Sequence, residues 1–297
     1  MPSLKAIRTR IGSVKNTRKI TRAMKLVSAA KLRRAQEAIV AARPYANSLT
    51  QVVSELAQVA GTESHPLFED RTAKADHASK KAAIVVFSAD RGLAGAFNSS
   101  VIKKVEAAVE SELAGFGEIS LRIIGKKANG HFTRRNANIA SYDAAPIGAT
   151  ALQLARETAT RIIDDFLSGK VDRVYMVYNE FRSAISQGVT LKQVLPVVPE
   201  AVASDAAAGS GIDYVYEPDK QTLLANLVPL YVQIVLYRAA LESIASEFGA
   251  RMTAMENATK NAGDMIQRLT LQYNRARQAS ITKELAEIVG GAEALKG

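Results

Sequence analysis

Two stripes of apolar and small residues, one near each end of the chain, repeat in alternating steps of three and four. They constrain the fold more than any other feature. The first runs through Leu4, Ile7, Ile11 and Val14, then through Leu32, Ala35, Ile39, Ala42, Ala46, Leu49, Val53, Leu56 and Ala60. The second runs through Ile234, Leu241, Ala245, Phe248, Met252, Met255, Thr259, Ala262, Ile266, Leu269, Tyr273 and Ala276, apart from Arg238. This repeat turns one face of a helix toward a second helix in a left-handed coiled coil. At about 1.5 Å per residue, helices over residues 4–60 and 230–289 would span roughly 85 and 90 Å and can pair along their whole stripes.

Local breaks refine this reading. Between Arg18 and Ser28 the first stripe loses phase, with Ile20, Met24 and Val27 as its apolar positions. Pro44 should bend the first helix by removing a backbone donor, but the stripe keeps its phase across it, so one helix is expected. After a break at Tyr216-Glu217-Pro218, a short helix leads to Pro229, which suits the first turn of a new one. Gly290-Gly291 should end that helix. Beyond Ala276 the stripe shifts to Ile281, Leu285 and Ile288, as expected of a tip that leaves its partner helix.

Charge is concentrated as sharply as the stripes are. The 297 residues carry a formal net charge of +10 from 39 Lys and Arg against 29 Asp and Glu. Eleven of those cations lie in residues 1–36 (Lys5, Arg8, Arg10, Lys15, Arg18, Lys19, Arg22, Lys25, Lys31, Arg33 and Arg34), with no acidic residue among them. The rest of the chain is therefore close to neutral, and the terminal segment expects an acidic partner.

Between the stripes the pattern changes to short apolar runs alternating with helical stretches. Ala82–Ser88, Ile119–Ile124 and Arg173–Asn179 read as strands; 99–113, 126–134 and 150–167 read as helices. Strand then helix, repeated, means a mostly parallel sheet with covered faces. Gly188–Val198 reads as an added edge strand, and the small and polar residues 201–213 as a flexible connection. The expected division is a coiled-coil helix over 1–60, a linker over 61–81, an α/β domain over 82–200, a connection over 201–218 and a second coiled-coil helix over 219–297.

Chemistry-bearing motifs are scarce. The absence of cysteine excludes disulfides, thiolate metal sites and thiol nucleophiles. Ser88–Asn98 (SADRGLAGAFN) follows a strand, yet the chain has neither the GxGxxG nor the GxxxxGK[ST] spacing, so Gly92 and Gly95 read as turn glycines. His65, His77 and His131 are too scattered for a metal site, and Asp164-Asp165 point to different helix faces. No catalytic residue, cofactor or metal is expected. No stretch reads as long and apolar enough to cross a bilayer, because Leu223–Tyr237 is interrupted by Asn226, Pro229 and Gln233. The N-terminus carries no secretory signal pattern.

The terminal segments resemble one known family. MPSLKAIRTRIGSVKNTRKITRAMKLVSAAKLRRAQ resembles the N-terminus, and RMTAMENATKNAGDMIQRLTLQYNRARQASITKELAEIVGGAEAL the C-terminus, of the gamma subunits of rotary ATP synthases. SADRGLAG resembles the family's central strand-turn motif, and DYVYEP its approach to the final helix. The resemblance implies an α/β fold: an antiparallel coiled coil of the long N- and C-terminal helices with an inserted Rossmann-like α/β domain. It also implies a non-catalytic rotor shaft. The coiled-coil tip would lie inside a hexamer of alpha and beta subunits, and the foot would bind the epsilon subunit and the membrane c-ring. Rotation of the ring would couple proton translocation to ATP synthesis or hydrolysis.

Carried over by motif, Lys19, Arg22, Met24 and Lys25 match the family segment that faces acidic loops of beta. Arg277 and Gln278 match its contact with a loop of beta that senses rotor angle, and Arg251 and Thr282 fall in neighbouring matched segments. Chloroplast members carry a regulatory cysteine pair that this chain lacks. With no clear transit peptide, the expected location is the cytoplasmic face of a bacterial inner membrane, peripheral to it. A rival reading is a basic helix that tracks nucleic-acid phosphates. Against it, no aromatic residue precedes Tyr45, and the long C-terminal helix is charge-balanced.

Overall fold

Both long helices begin at side-chain caps. The Ser3 hydroxyl accepts from the Ala6 N–H at 3.3 Å and opens α1 (Leu4–Ala60). Asp219 accepts from the backbone and hydroxyl of Thr222 at 2.8 and 2.7 Å and opens α5 (Lys220–Ala294). The computed structural model describes residues 3–60, 65–74, 79–146, 148, 150–183, 186–198 and 219–294. The expected break at 216–218 and the flexible connection lie outside the described residues.

α1 passes through Pro44 as one helix, as its stripe implies. In α5 the expectation fails twice, because the helix runs through both Pro229 and Gly290-Gly291. Proline removes one backbone hydrogen bond, but Leu224, Val228, Val232 and Leu236 on its two sides are buried and fix the helix there. Gly290 and Gly291 stand in open space at the solvated end, where a helical glycine costs only about 1 kcal/mol. α5 also corrects the hydropathy reading. It contains an 18-residue window of mean hydropathy 1.4, long and apolar enough by composition to cross a membrane, with 39% of that window buried in the protein itself.

By its internal contacts the chain forms two compact units, Met1–Ser28 with Met252–Gly297, and Ala29–Arg251. The larger unit holds a five-stranded sheet made of β1 (Lys81–Phe87), β2 (Glu118–Ile124), β3 (Ile139–Asp143), β4 (Arg173–Phe181) and β5 (Gln187–Leu195), in the order β3-β2-β1-β4-β5. All neighbours are parallel except β4 and β5, so β5 is the antiparallel edge strand. Helices α2 (Phe97–Glu110), α3 (Lys126–Thr133) and α4 (Thr150–Leu167) make the crossovers. The central strand β1 is buried along nearly its whole length, as a parallel strand covered on both faces must be. Ile84 and Val86 of β1 cluster with Leu121 and Ile123 of β2, Val101 and Val105 of α2 and Phe132 of α3.

The SADRGLAGAFN turn after β1 is held by hydrogen bonds. Asn98 Oδ1 accepts from the Ala89 N–H at 2.9 Å, and Asp90 Oδ1 accepts from the Lys126 N–H at 2.9 Å. Ser88 Oγ donates to the Ile124 carbonyl at 3.0 Å. Gly125 is the glycine this site requires: its φ is +101°, and a Cβ there would stand 2.1 Å from the Ser88 carbonyl oxygen.

Residues 65–74, expected as linker, form two 3-10 turns, Pro66–Phe68 and Arg71–Lys74. Leu67 and Phe68 are buried, the Leu67 carbonyl accepts from Val197, and Arg71 donates to the Phe166 carbonyl at 2.6 Å. In the same unit α1 and α5 lie side by side: Lys31 Nζ sits 5.1 Å over the Phe248 ring. Ser246 Oγ ties α5 to β4 through the Asn179 carbonyl at 3.1 Å.

Candidate functional surface

In the smaller unit the two helices meet along a seam that runs in opposite directions on the two chains of residues. Thr21 Oγ1 lies 2.7 Å from Thr259 Oγ1, and Lys25 Nζ lies 2.6 Å from Glu256 Oε1. Arg18 sits beside Gly263. Numbers rise on α1 as they fall on α5, which makes the pair antiparallel. Ile7, Thr21 and Ser28 are buried on one side of the seam; Met255, Ala262 and Leu269 are buried on the other.

This seam corrects the reading of residues 18–28. The stripe does not lose phase; it continues as Val14, Arg18, Thr21, Lys25, Ser28 and Leu32 in steps of four and three, with polar residues in the seam positions. Thr21 and Ser28 stay buried there because each hydroxyl bonds its own helix, at the Arg18 and Met24 carbonyls. Ile20 and Val27, expected in the stripe, are 61% and 57% exposed.

The seam divides the α1 surface into two flanks. Each residue step turns the helix by about 100°, so Lys15, Lys19 and Arg22 lie on one flank and Ile20, Met24 and Val27 on the other. Lys19 and Arg22 are exposed and Met24 is half-buried. Of the four site residues on α1, only Lys25 turns into the seam, where it holds Glu256. Among the described residues, Lys5, Arg8, Arg10, Lys15, Lys19 and Arg22 form no ion pair. The unit as a whole carries fourteen Lys and Arg against five Asp and Glu, which is nearly all of the excess charge.

On α5, Arg277, Gln278 and Thr282 are exposed. The paired numbers total about 280, so Leu4, the first residue of α1, falls opposite Ala276. Past that point α5 has no partner helix among the described residues, and residues 281–292 are exposed throughout, including Ile281, Leu285, Ile288 and Val289.

Arg251 differs from the other seven. It is only 7% exposed, pairs with Glu247 at 2.7 Å, lies 5.5 Å over the Phe248 ring and donates to the Gly92 carbonyl at 3.4 Å. Its guanidinium binds α5 to the turn after β1 within the larger unit. Thr259 stands in the second stripe as expected, whereas its partner Thr21 and the ion-pair residue Glu256 were not anticipated. An unbroken count of three and four through polar residues on α1 finds Thr21.

No described group of His, Cys, Asp and Glu is placed to hold a metal. The surface can therefore offer a stiff paired-helix rod with one cationic flank, one apolar flank and an unpaired apolar tip.

Comparison with known proteins agrees with this geometry. The family described as ATP synthase matches residues 3–295. The chain is 50% identical over 299 residues to the ATP synthase gamma chain of Anaeromyxobacter dehalogenans, covering 100% of both chains. It is 46% identical over 297 residues to that of Geotalea uraniireducens, again covering 100% of both. Among solved structures it is similar to a chain of the Tetrahymena thermophila mitochondrial ATP synthase central stalk and c-ring, with a TM-score of 0.55 at 25% identity, covering 80% of this chain and 99% of that one. A chain of the Euglena gracilis mitochondrial ATP synthase shares the fold with a TM-score of 0.66 at 18% identity, covering 98% and 94%. Matched along its full length in both sequence and fold, the chain belongs to the ATP synthase gamma chain family.

Proposed function

We infer that this chain is the central rotor shaft of an F-type ATP synthase. It transmits rotation of the membrane c-ring to the catalytic alpha/beta hexamer and couples proton translocation to ATP synthesis or hydrolysis. It is a non-catalytic subunit. Its partners are alpha, beta, epsilon and the c-ring, and through them it is peripheral to the membrane. The bacterial relatives support a place at the cytoplasmic face of a bacterial inner membrane.

The observation that carries this reading is the antiparallel seam with a continuous unpaired extension. Paired helices resist bending because each is held along its length by the other. The extension exposes Ile281, Leu285 and Ile288, side chains that a surrounding sleeve of subunits would cover. Lys19, Arg22 and Lys25 would face acidic loops of beta, with Met24 on the adjoining flank. Arg277, Gln278 and Thr282 would meet beta near the tip. Arg251 would act one step back, by holding α5 in place.

Dispersed surface charges suit a rotating part. An exposed ion pair is worth about 0–1 kcal/mol, so several of them register the rotor without trapping it at one angle. A tagged copy of the chain should bring down a complex of several different subunits with ATPase activity. Recovery of the chain alone, or with nucleic acid, would overturn the assignment.

A further inference from the structure

The larger unit contains a cavity of about 510 Å³ between α1, α5 and the start of α4. It exists because α1 presents alanines where its neighbours present large side chains: Ala38, Ala42 and Ala46 face Ile234 and Leu241, and Leu152 of α4 closes one side. Its volume falls within the roughly 300–1,000 Å³ typical of small-molecule sites. Three charged residues line this apolar space: Arg43, Arg238 and Glu242.

Their charges do not cancel. Arg238 Nε donates to Glu242 Oε1 at 2.9 Å, so those two offset each other. Arg43 is exposed and makes no ion pair among the described residues, which leaves one positive charge beside an apolar hollow. A guanidinium at the edge of an apolar cavity recognises a carboxylate through paired N–H donors while the hollow takes up a hydrocarbon tail. We propose that this cavity binds a single-chain amphiphile with a carboxylate head, the tail lying against Ala38, Ala42, Ile234 and Leu241 and the head on Arg43.

The assignment stands independently of the shaft reading, since it rests on the larger unit alone. The half-exposed Leu152 and Tyr45 agree with it, because a bound tail would cover apolar surface that now faces water.

The test is calorimetric titration of the full chain with sodium decanoate below its micelle concentration, using decan-1-ol as the chargeless control. One saturable site is expected. The dissociation constant should rise about tenfold or more for decan-1-ol and for Arg43→Gln, the size of effect expected on losing a charge-assisted contact. Ala42→Phe, which fills the cavity, should abolish binding; if that variant does not fold, the exposed Arg43→Gln decides the matter. Equal affinity for decanoate and decan-1-ol would overturn the proposal. So would the absence of binding, or many weak sites that vanish with added salt and ignore Arg43→Gln, since those would mark adsorption to the basic terminal unit.

Discussion

Thr21 and Thr259, 238 residues apart in sequence, bring their hydroxyls within 2.7 Å of each other across the helix seam. A polar contact in a seam position sets register more than it adds stability, because it excludes any alignment that leaves one hydroxyl against an apolar neighbour. Thr21→Val alone should cost no more than about 1 kcal/mol, since Thr259 loses the contact across the seam but keeps the Met255 carbonyl at 2.7 Å as acceptor. The double variant with Thr259→Val should cost less than the sum of the two single changes. Urea unfolding of the four chains in a double-mutant cycle measures the coupling, and strictly additive effects would contradict a shared contact.

Lys25 is the one predicted cation on α1 that is already paired among the described residues, to Glu256. Both side chains are partly exposed, so Lys25→Glu should lower the chain's own stability by no more than about 1 kcal/mol. In the assembled complex the same change should lower the ratio of proton pumping to ATP hydrolysis while ATP binding stays the same. Exchanging the pair, as Lys25→Glu with Glu256→Lys, should restore stability but not coupling if an acidic loop outside the chain is the second partner. Full recovery of coupling would confine the role of Lys25 to the seam.

Gly125 joins β2 to α3 at a φ of +101° directly beneath Ser88. Gly125→Ala combines backbone strain of about 1–3 kcal/mol with a backbone collision that only a shift of the turn can relieve. A large fall in melting temperature is therefore expected, alongside loss of the Ser88–Ile124 hydrogen bond that joins β1 and β2. A melting temperature near that of the parent chain would contradict the tight-turn account of the SADRGLAG motif.

Removing residues 281–297 should leave unfolding of the rest unchanged to within about 0.5 kcal/mol, because the described part of that segment is exposed and lies past the end of its partner helix. Assembly should persist and coupling should weaken. Undiminished proton-driven ATP synthesis in reconstituted vesicles carrying the shortened chain would show that the tip does not take part in coupling.

The seams and the sheet differ in how openly the chain displays them. β1, β2 and β4 are apolar runs bounded by polar residues and glycines, which is the signature of buried parallel strands, and they were legible. β3 was not: Ile139–Asp143 reads Ile-Ala-Ser-Tyr-Asp, an edge strand with alternating exposure and little apolar content. The seam across Arg18–Ser28 was misread because seam membership was sought in apolar residues, whereas Thr21 and Ser28 satisfy their hydroxyls locally and pack as small groups. Pro229 and Gly290 were misread for the opposite reason: local propensity was followed where a long helix, fixed by burial around Pro229 and solvated at its end, tolerates each exception. The proposed roles of exposed Lys19 and Arg277 rest on family resemblance alone, since a helix cation on a solvated face carries no local sign of a partner.

Whether the paired helices turn as a shaft is tested most directly by watching them. The chain has no cysteine, so a single cysteine introduced on an exposed position of the larger unit, such as Leu93, provides the chain's one thiol for a visible probe. With the complex fixed through its beta subunits and ATP added, the probe should rotate continuously in one direction. A probe that stays still, or only fluctuates about one angle, while ATP is being hydrolysed would contradict the account.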